Sequence, residues 1–121
     1  DVVGITMYRT VFSERTEKPV RYDYIFPSWV YRLKSRYVKI LRGKDVLISE
    51  LQGEPWGGKP FPDMTEEERL ESFSPERFVE LADFSRRTQL PRAYWWGVEY
   101  WYWEKEVHNN PEYWEVAGKL F

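Results

Sequence analysis

Short apolar runs and helical apolar stripes alternate along the chain. Val2 to Tyr8 is a compact apolar run with β-branched residues, which predicts a buried strand. Asp45 to Glu50 and Ala93 to Val98 are further short runs of this kind. An almost wholly apolar run is typical of a parallel strand that is covered on both faces. We therefore expect these three runs to pair in one parallel sheet.

Helices are predicted between and after these strands. The first begins at Pro27 and Ser28 and ends at Gly43, the second has Ser74 as N-cap and Pro75 as its first residue, and the last spans Pro111 to Phe121. The residues expected to face the core are, in the first helix, Trp29, Leu33, Tyr37 and Leu41, with Val30 and Ile40 beside them; in the second, Phe78, Leu81, Ala82 and Ser85; in the last, Trp114, Ala117 and Leu120 or Phe121.

Two connections are long. The segment from Arg9 to Phe26 has no strong periodicity, so no regular element is predicted there. The segment from Leu51 to Ser74 is longer than an ordinary connection, and long loops in compact domains are often functional. Within it, Thr65 and Glu68 have the spacing of a capping box, which predicts a short helical turn over Thr65 to Ser72.

The order of elements predicts a parallel α/β architecture. A doubly wound sheet would show a glycine-rich phosphate turn after its first strand, and VVGITMYRT has none. A (β/α)8 TIM barrel places its active residues after its strands, where this chain has Tyr8, Glu50 to Trp56 and Trp96 to Trp103. The barrel interpretation fits better. Because such a barrel needs about 250 residues, we expect 1–121 to be its C-terminal three β/α units, a partial catalytic domain cut from a longer protein.

Composition narrows the classes of function. Aromatic residues make up 19% of the chain, with seven Trp, which is more than a small core needs, so several should lie at a working surface. A net charge of −2 disfavours nucleic acid or an anionic membrane as partner. The chain has no Cys and one His, which excludes thiolate and histidine-rich metal sites. The aromatic run YWWGVEYWYW contains Glu99 and is too short to span a bilayer.

Three motifs together resemble clan A glycoside hydrolases. DVVGITMY looks like the sixth strand of endo-galactanase-like members, ISEL resembles the end of the seventh strand in xylanase-like and cellulase-like members, and WWGVEYW resembles the Trp-Gly end of the eighth strand. The motifs occur in the family's order and at family-like spacing across essentially the whole chain. The continuation LQGEPWGG after the seventh strand departs from the commoner members.

The resemblance implies a retaining hydrolysis of β-linked glycosides without metal or cofactor. It assigns the nucleophile to Glu50, whereas the acid/base would be a glutamate after strand four, usually in an Asn-Glu pair. No Asn-Glu pair occurs in the chain. On this interpretation the acid/base lies in a missing N-terminal part of the same barrel, and 1–121 alone should be inactive. The expected partners are that part and an oligo- or polysaccharide substrate.

The same resemblance suggests further site residues. Tyr8 matches a tyrosine that orients the nucleophile, and Trp96 matches the tryptophan under the sugar at the cleavage point. In the departing loop and beyond it, the residues expected to bind sugar by hydrogen bonding or stacking are Gln52, Glu54, Trp56 and Glu99.

Other interpretations remain open from the sequence. Glu50 could be a solvated or ion-paired residue, with Glu54 the alternative nucleophile, and Tyr8 could be ordinary barrel packing. Trp101 and Trp103 could stack on sugar or pack under the last helix. The alternative function is a non-catalytic carbohydrate-binding or polysaccharide-assembly barrel. A phosphate-binding barrel is disfavoured because glycine-rich turns are lacking after the last two strands.

Overall fold

Three parallel strands form the central sheet of the computed structural model, which describes residues 1–23 and 25–120. The strands are β1 (Val2–Met7), β4 (Asp45–Gln52) and β5 (Ala93–Trp96), in the order β1-β4-β5. All three predicted strands are present. β4 extends two residues beyond Glu50, because its last residues pair with β1 and β5. The predicted α/β class with a parallel sheet is thus confirmed.

Five helices accompany the sheet in the described residues. They are α1 (Ser28–Arg42), α2 (Glu66–Ser72), α3 (Pro75–Thr88), α4 (Val98–Val107) and α5 (Glu112–Leu120). The predicted helix ends follow from capping. The Ser74 side chain accepts a hydrogen bond from the backbone N–H of Arg77, the Thr65–Glu68 capping box is complete, and Gly43 ends α1 in the left-handed conformation.

Two segments differ from the prediction. The connection after β1 contains an antiparallel hairpin of β2 (Thr10–Ser13) and β3 (Lys18–Arg21), strands that are too short and polar to show a clear alternation. The predicted third strand ends at Trp96 instead of Val98, and α4 follows. The aromatic residues of α4 are weak helix formers, but packing of Tyr100 and Trp101 in the core outweighs that preference.

The helices cover one face of the sheet. Met7, Ile48 and Leu51 form a buried cluster against Tyr31 of α1 and Phe84 of α3. A second and larger core lies among the helices, with the members Phe73, Phe78, Leu81, Tyr100, Trp101, Tyr113 and Ala117. The opposite face of the sheet has small or exposed residues, including Gly4, Thr6, Ser49 and Tyr94. One face is therefore closed by apolar packing and the other is open.

A buried ion network fixes the hairpin region to α3. Arg77 donates two hydrogen bonds to the Asp23 carboxylate, at 2.7 and 2.9 Å, and Arg9 donates a third at 3.4 Å. Burial alone would raise the pKa of Asp23, but the hydrogen bonds and charges of Arg77 and Arg9 outweigh burial and lower it. Both arginines are almost completely buried, so this carboxylate compensates charges that would otherwise be costly.

The prediction of the inward face of α1 was wrong. Trp29, Leu33, Tyr37 and Leu41 are 55–65% exposed. Tyr31, Ser35 and Val38 are less exposed and also recur at helical spacing, and Tyr31 packs against the buried cluster of the sheet. The helix was therefore predicted correctly, but its apolar residues form two stripes, and the sequence pattern did not indicate which stripe faces the sheet.

The exposed stripe of α1 lies at one end of the helix layer. Arg32 donates a hydrogen bond to Gln89 at the end of α3, which marks the α3 side of α1. At 100° per residue, Leu33, Tyr37 and Leu41 lie about 100° to 180° around the helix from Arg32, away from α3.

In the described residues β1 pairs only with β4 and is an edge strand without charge or Pro. An apolar edge of this kind favours association.

Replacing Leu33 and Tyr37 together by Lys should reduce concentration-dependent self-association, measured by sedimentation velocity. Both side chains are exposed, so the free energy of unfolding should change by less than about 0.5 kcal/mol. The control is the pair Leu70→Lys and Val107→Lys, exposed apolar residues outside α1. Equal association of the two double variants would contradict a role for this stripe.

Candidate functional site

The candidate site lies where the carboxyl ends of the three parallel strands meet. Parallel strands end at the same edge of a sheet, so Tyr8 after β1, Glu50 near the end of β4, and Trp96 at the end of β5 share that edge. The regular register is interrupted between Ile48 and Glu50, and as a result Glu50 pairs with Thr6 on the open face. Without this bulge Glu50 would lie opposite the buried Met7.

A hydrogen bond joins two of the predicted site residues. The Tyr8 hydroxyl donates to Glu50 Oε2 at 3.1 Å. Burial raises the pKa of Tyr8 well above its usual range, with further contributions from the hydrogen bond to Glu50 and from the charges of Glu50 and Glu54. The phenol therefore remains protonated and acts as a donor at neutral pH. This contact holds the Glu50 carboxylate in a defined orientation on the open face.

Trp56 forms one wall beside this pair. Its ring packs edge-on against Tyr8, with 4.7 Å between the ring centroids, while 41% of the residue stays exposed. The buried Ser72 of α2 fixes its backbone, accepting from the Trp56 N–H at 2.7 Å and donating to the Trp56 carbonyl at 3.0 Å. The short helix α2 thus positions the loop. No feature of the sequence distinguishes Ser72 from other serines, so this contact could not have been predicted.

Trp95 and Trp96 have opposite environments. Trp96 is 48% exposed on the open face, whereas Trp95 packs against Phe78 and Trp101, with centroid distances of 4.6 and 5.9 Å. Trp95 therefore faces the helices, as side-chain alternation requires when Trp96 lies on the opposite face. Trp96 therefore offers an exposed indole face at the same edge as Glu50.

Glu54 lies over Gly97, beside a second carboxylate. A Cβ on Gly97 would be 2.5 Å from the Glu54 Cβ, and its φ of 96° also favours glycine. Burial raises the pKa of Glu54, the negative charge of Glu99 raises it further, and an interaction with the Trp96 side chain opposes both effects. The glycine after Trp96 was the sequence signal for this close approach. Glu54, Trp96 and Glu99 are thus brought together.

Gln52 does not have the sugar-binding position that the sequence suggested. Its side chain is completely buried. Its oxygen accepts from the backbone N–H groups of Arg9 and Thr10, and its nitrogen donates to the carbonyls of Thr10 and Glu54. The amide has no hydrogen-bonding capacity left for a ligand. The sequence could not distinguish this role, because β4 extends further than its apolar run indicated.

The two tryptophans of α4 belong to the interior. Trp101 is buried and its indole N–H donates to the Gly53 carbonyl at 2.5 Å. Trp103 packs against Phe61 and Tyr100, with ring centroids 5.1 and 6.1 Å away. Both residues therefore pack in the helical core rather than presenting free faces, and these contacts lie outside the last helix.

The site offers a carboxylate, a neutral hydroxyl donor and aromatic faces. A carboxylate fixed by such a donor can act as a nucleophile or a base, and exposed indoles can stack on flat apolar faces of a ligand.

Among residues 1–23 and 25–120 no group of three or more His, Cys, Asp or Glu is arranged to hold a metal ion. In the same residues no helix has the length and apolar character required to cross a membrane. No family model, curated protein or solved structure matches the chain.

The variant Glu54→Gln should be more stable than the unmodified protein at pH 7, by less than about 1 kcal/mol because Glu54 is only partly buried and solvent screens its charge. A carboxyl whose pKa is raised in the folded state destabilises the fold when it ionises. The stability difference between the two proteins should therefore vanish as the pH falls below the pKa of Glu54 in the unfolded state. Urea unfolding at pH 7 and pH 4 measures both.

The control for this prediction is Glu106→Gln, because Glu106 is an exposed carboxylate paired with Lys105 at 3.2 Å. It should give no stabilisation at pH 7. A Glu54→Gln protein that is less stable than the unmodified one at pH 7, or a difference independent of pH, would contradict a raised pKa of Glu54.

Proposed function

We propose that the chain is the C-terminal three-unit part of a (β/α)8-barrel glycoside hydrolase that acts on β-linked glycosides by a retaining mechanism. The barrel interpretation is supported by strands in sequential order with their helices on one face, since a barrel repeats this arrangement around an axis. The open face with its small residues would then be the barrel interior. The remaining units would pair with the free edges of β1 and β5.

The single observation that supports hydrolysis best is the hydrogen bond from Tyr8 to Glu50 on the open face. Glu50 would attack the anomeric carbon, and the Tyr8 hydroxyl would keep its carboxylate oriented. Trp96, and to a lesser extent Trp56, would stack on the sugar ring. A second carboxyl group about 5 to 5.5 Å from Glu50 would protonate the leaving oxygen, and on this proposal the rest of the barrel supplies it.

A reagent that traps the nucleophile tests this assignment. In a 2,4-dinitrophenyl 2-deoxy-2-fluoro-β-glycoside the leaving group departs as an anion, so no acid is needed. A Glu50 oxygen would form a bond to the anomeric carbon as the bond from that carbon to dinitrophenolate breaks. Incubation of the complete barrel should add one fluoroglycosyl group, and peptide mass spectrometry should locate it on Glu50.

Two variants sharpen the trapping experiment. Glu50→Gln should abolish labelling and reduce turnover of an unmodified glycoside at least about 1,000-fold while sparing sugar binding. Glu54→Gln is the matched control and should still be labelled at Glu50. A label on Glu54, or undiminished turnover in Glu50→Gln, would overturn the assignment.

A second candidate function is carbohydrate binding without chemistry. It is favoured by the exposure of Trp96 and Trp56, 48% and 41%, because stacking requires no carboxylate. The trapping experiment separates the two candidates. Sugar binding that is lost in Trp96→Ala, together with no label under any condition, would favour the binding protein.

A further inference from the structure

Strand β1, which Tyr8 follows, and strand β4, which contains Glu50, lose their backbone pairing just where the site begins. The last backbone register pair of β1 and β4 is Met7 with Leu51. Beyond Met7 the chain passes through Tyr8 and Arg9 into the hairpin that starts at Thr10. A regular ladder would continue with an amide group facing Tyr8 and the residues that follow it.

The side chain of Gln52 occupies that place. Its Oε1 accepts from Arg9 N at 3.1 Å and from Thr10 N at 3.0 Å, while its Nε2 donates to the Thr10 carbonyl at 3.0 Å. A side-chain amide has the same donor and acceptor groups as a peptide unit. Gln52 therefore continues the pairing of β1 and β4 by about one further step, with its side chain in place of backbone.

We propose that Gln52 is a positioning residue that sets the hydrogen bond between Tyr8 and Glu50. Tyr8 directly precedes one anchored residue, Arg9, and Glu50 lies two positions before the anchor itself. The hydrogen bonds between the Gln52 side chain and the backbone of Arg9 and Thr10 thus fix the chain next to both Tyr8 and Glu50. The inference rests on the site used in the proposed function, although its test needs no catalytic activity.

The residues next to Gln52 connect the same point to the third strand. The Gly53 N–H donates to the Trp96 carbonyl at 2.8 Å, and the fourth hydrogen bond of Gln52, at 3.3 Å, reaches the Glu54 carbonyl. A Cβ on Gly53 would lie 2.6 Å from that Trp96 oxygen, so only glycine allows this approach. Gln52 and Gly53 therefore join the ends of β1, β4 and β5, and each of these ends bears a candidate site residue.

The titration of the Tyr8 hydroxyl responds to its burial and to its hydrogen bond with Glu50. Protein labelled with 3-fluorotyrosine, whose hydroxyl titrates at lower pH than that of tyrosine, can be followed by ¹⁹F NMR, and Tyr8→Phe identifies the Tyr8 signal. Gln52→Met keeps the volume but removes all four hydrogen bonds. With the contact to Glu50 loosened, the Tyr8 titration should move to lower pH by about one pKa unit or more.

Two further variants keep the test decisive. Gln52→Asn is the milder change, because its amide is shorter by one methylene and keeps only part of this hydrogen bonding, so it should give a smaller shift in the same direction. If Gln52→Met does not fold, Gln52→Asn decides. The control Thr88→Val removes the hydrogen bonds of another fully buried polar residue, those to Ser85 and Leu90, remote from the site. It should lower stability and leave the Tyr8 titration unchanged.

An unchanged Tyr8 titration in a folded Gln52→Met or Gln52→Asn protein would overturn the proposal and leave Gln52 a purely structural residue. The outcome is independent of hydrolysis. A protein that resists labelling at Glu50 but shows the expected titration shift would refute the proposed function and retain the positioning role.

Discussion

The register between β1 and β4 is the constraint on which the candidate site depends. Side chains alternate between the two faces of a strand, so a shift by one residue exchanges buried and open positions. The bulge after Ile48 makes that exchange, because it places Glu50 opposite the exposed Thr6 and Leu51 opposite the buried Met7. The apolar core beneath the sheet thus enforces the position of a carboxylate above it. Register shifts of this kind occur often next to active sites, where they redirect a side chain.

One-sided packing leaves the other face available for function. Tyr31 and Phe84 close the helix side of the sheet, and their burial with Ile48 and Leu51 contributes to folding through loss of apolar surface to water. The open face has no such cover among the described residues, and exposed Tyr94 and Trp96 lie on it. A stable closed face and an exposed polar or aromatic face therefore arise from the same three strands.

Polar groups near the site divide into structural and accessible ones. Gln52, Arg9 and Arg77 are fully or almost fully buried, and hydrogen bonds and the Asp23 carboxylate satisfy them. Satisfied buried groups of this kind fix a unique arrangement of the backbone, because losing one partner leaves another group unpaired. The buried network holds the backbone in place. The side chains of Tyr8, Glu50 and Glu54 and the exposed indoles are therefore not needed for that purpose and stay accessible.

The sequence by itself determined the three strands of the sheet and four of the helices, but not the β2–β3 hairpin or α4. Apolar runs identified the three strands, and capping residues such as Thr65, Ser74 and Gly43 identified where helices begin or end, since both signals depend only on neighbours in the chain. It also identified Tyr8, Glu50 and Trp96 as residues at strand ends, which the parallel order brings to one edge.

Only the tertiary structure decided which face of each element is buried and which elements pack together. Both apolar stripes of α1 satisfy the helical period, and contact with α3 and β4 selects Tyr31 over Leu33. The bulge that exposes Glu50 and the burial of Gln52 likewise depend on pairing with β1, about 40 residues away in the chain. Local propensity and periodicity contain no information about such distant partners, so roles that depend on them appear only when the strands are assembled.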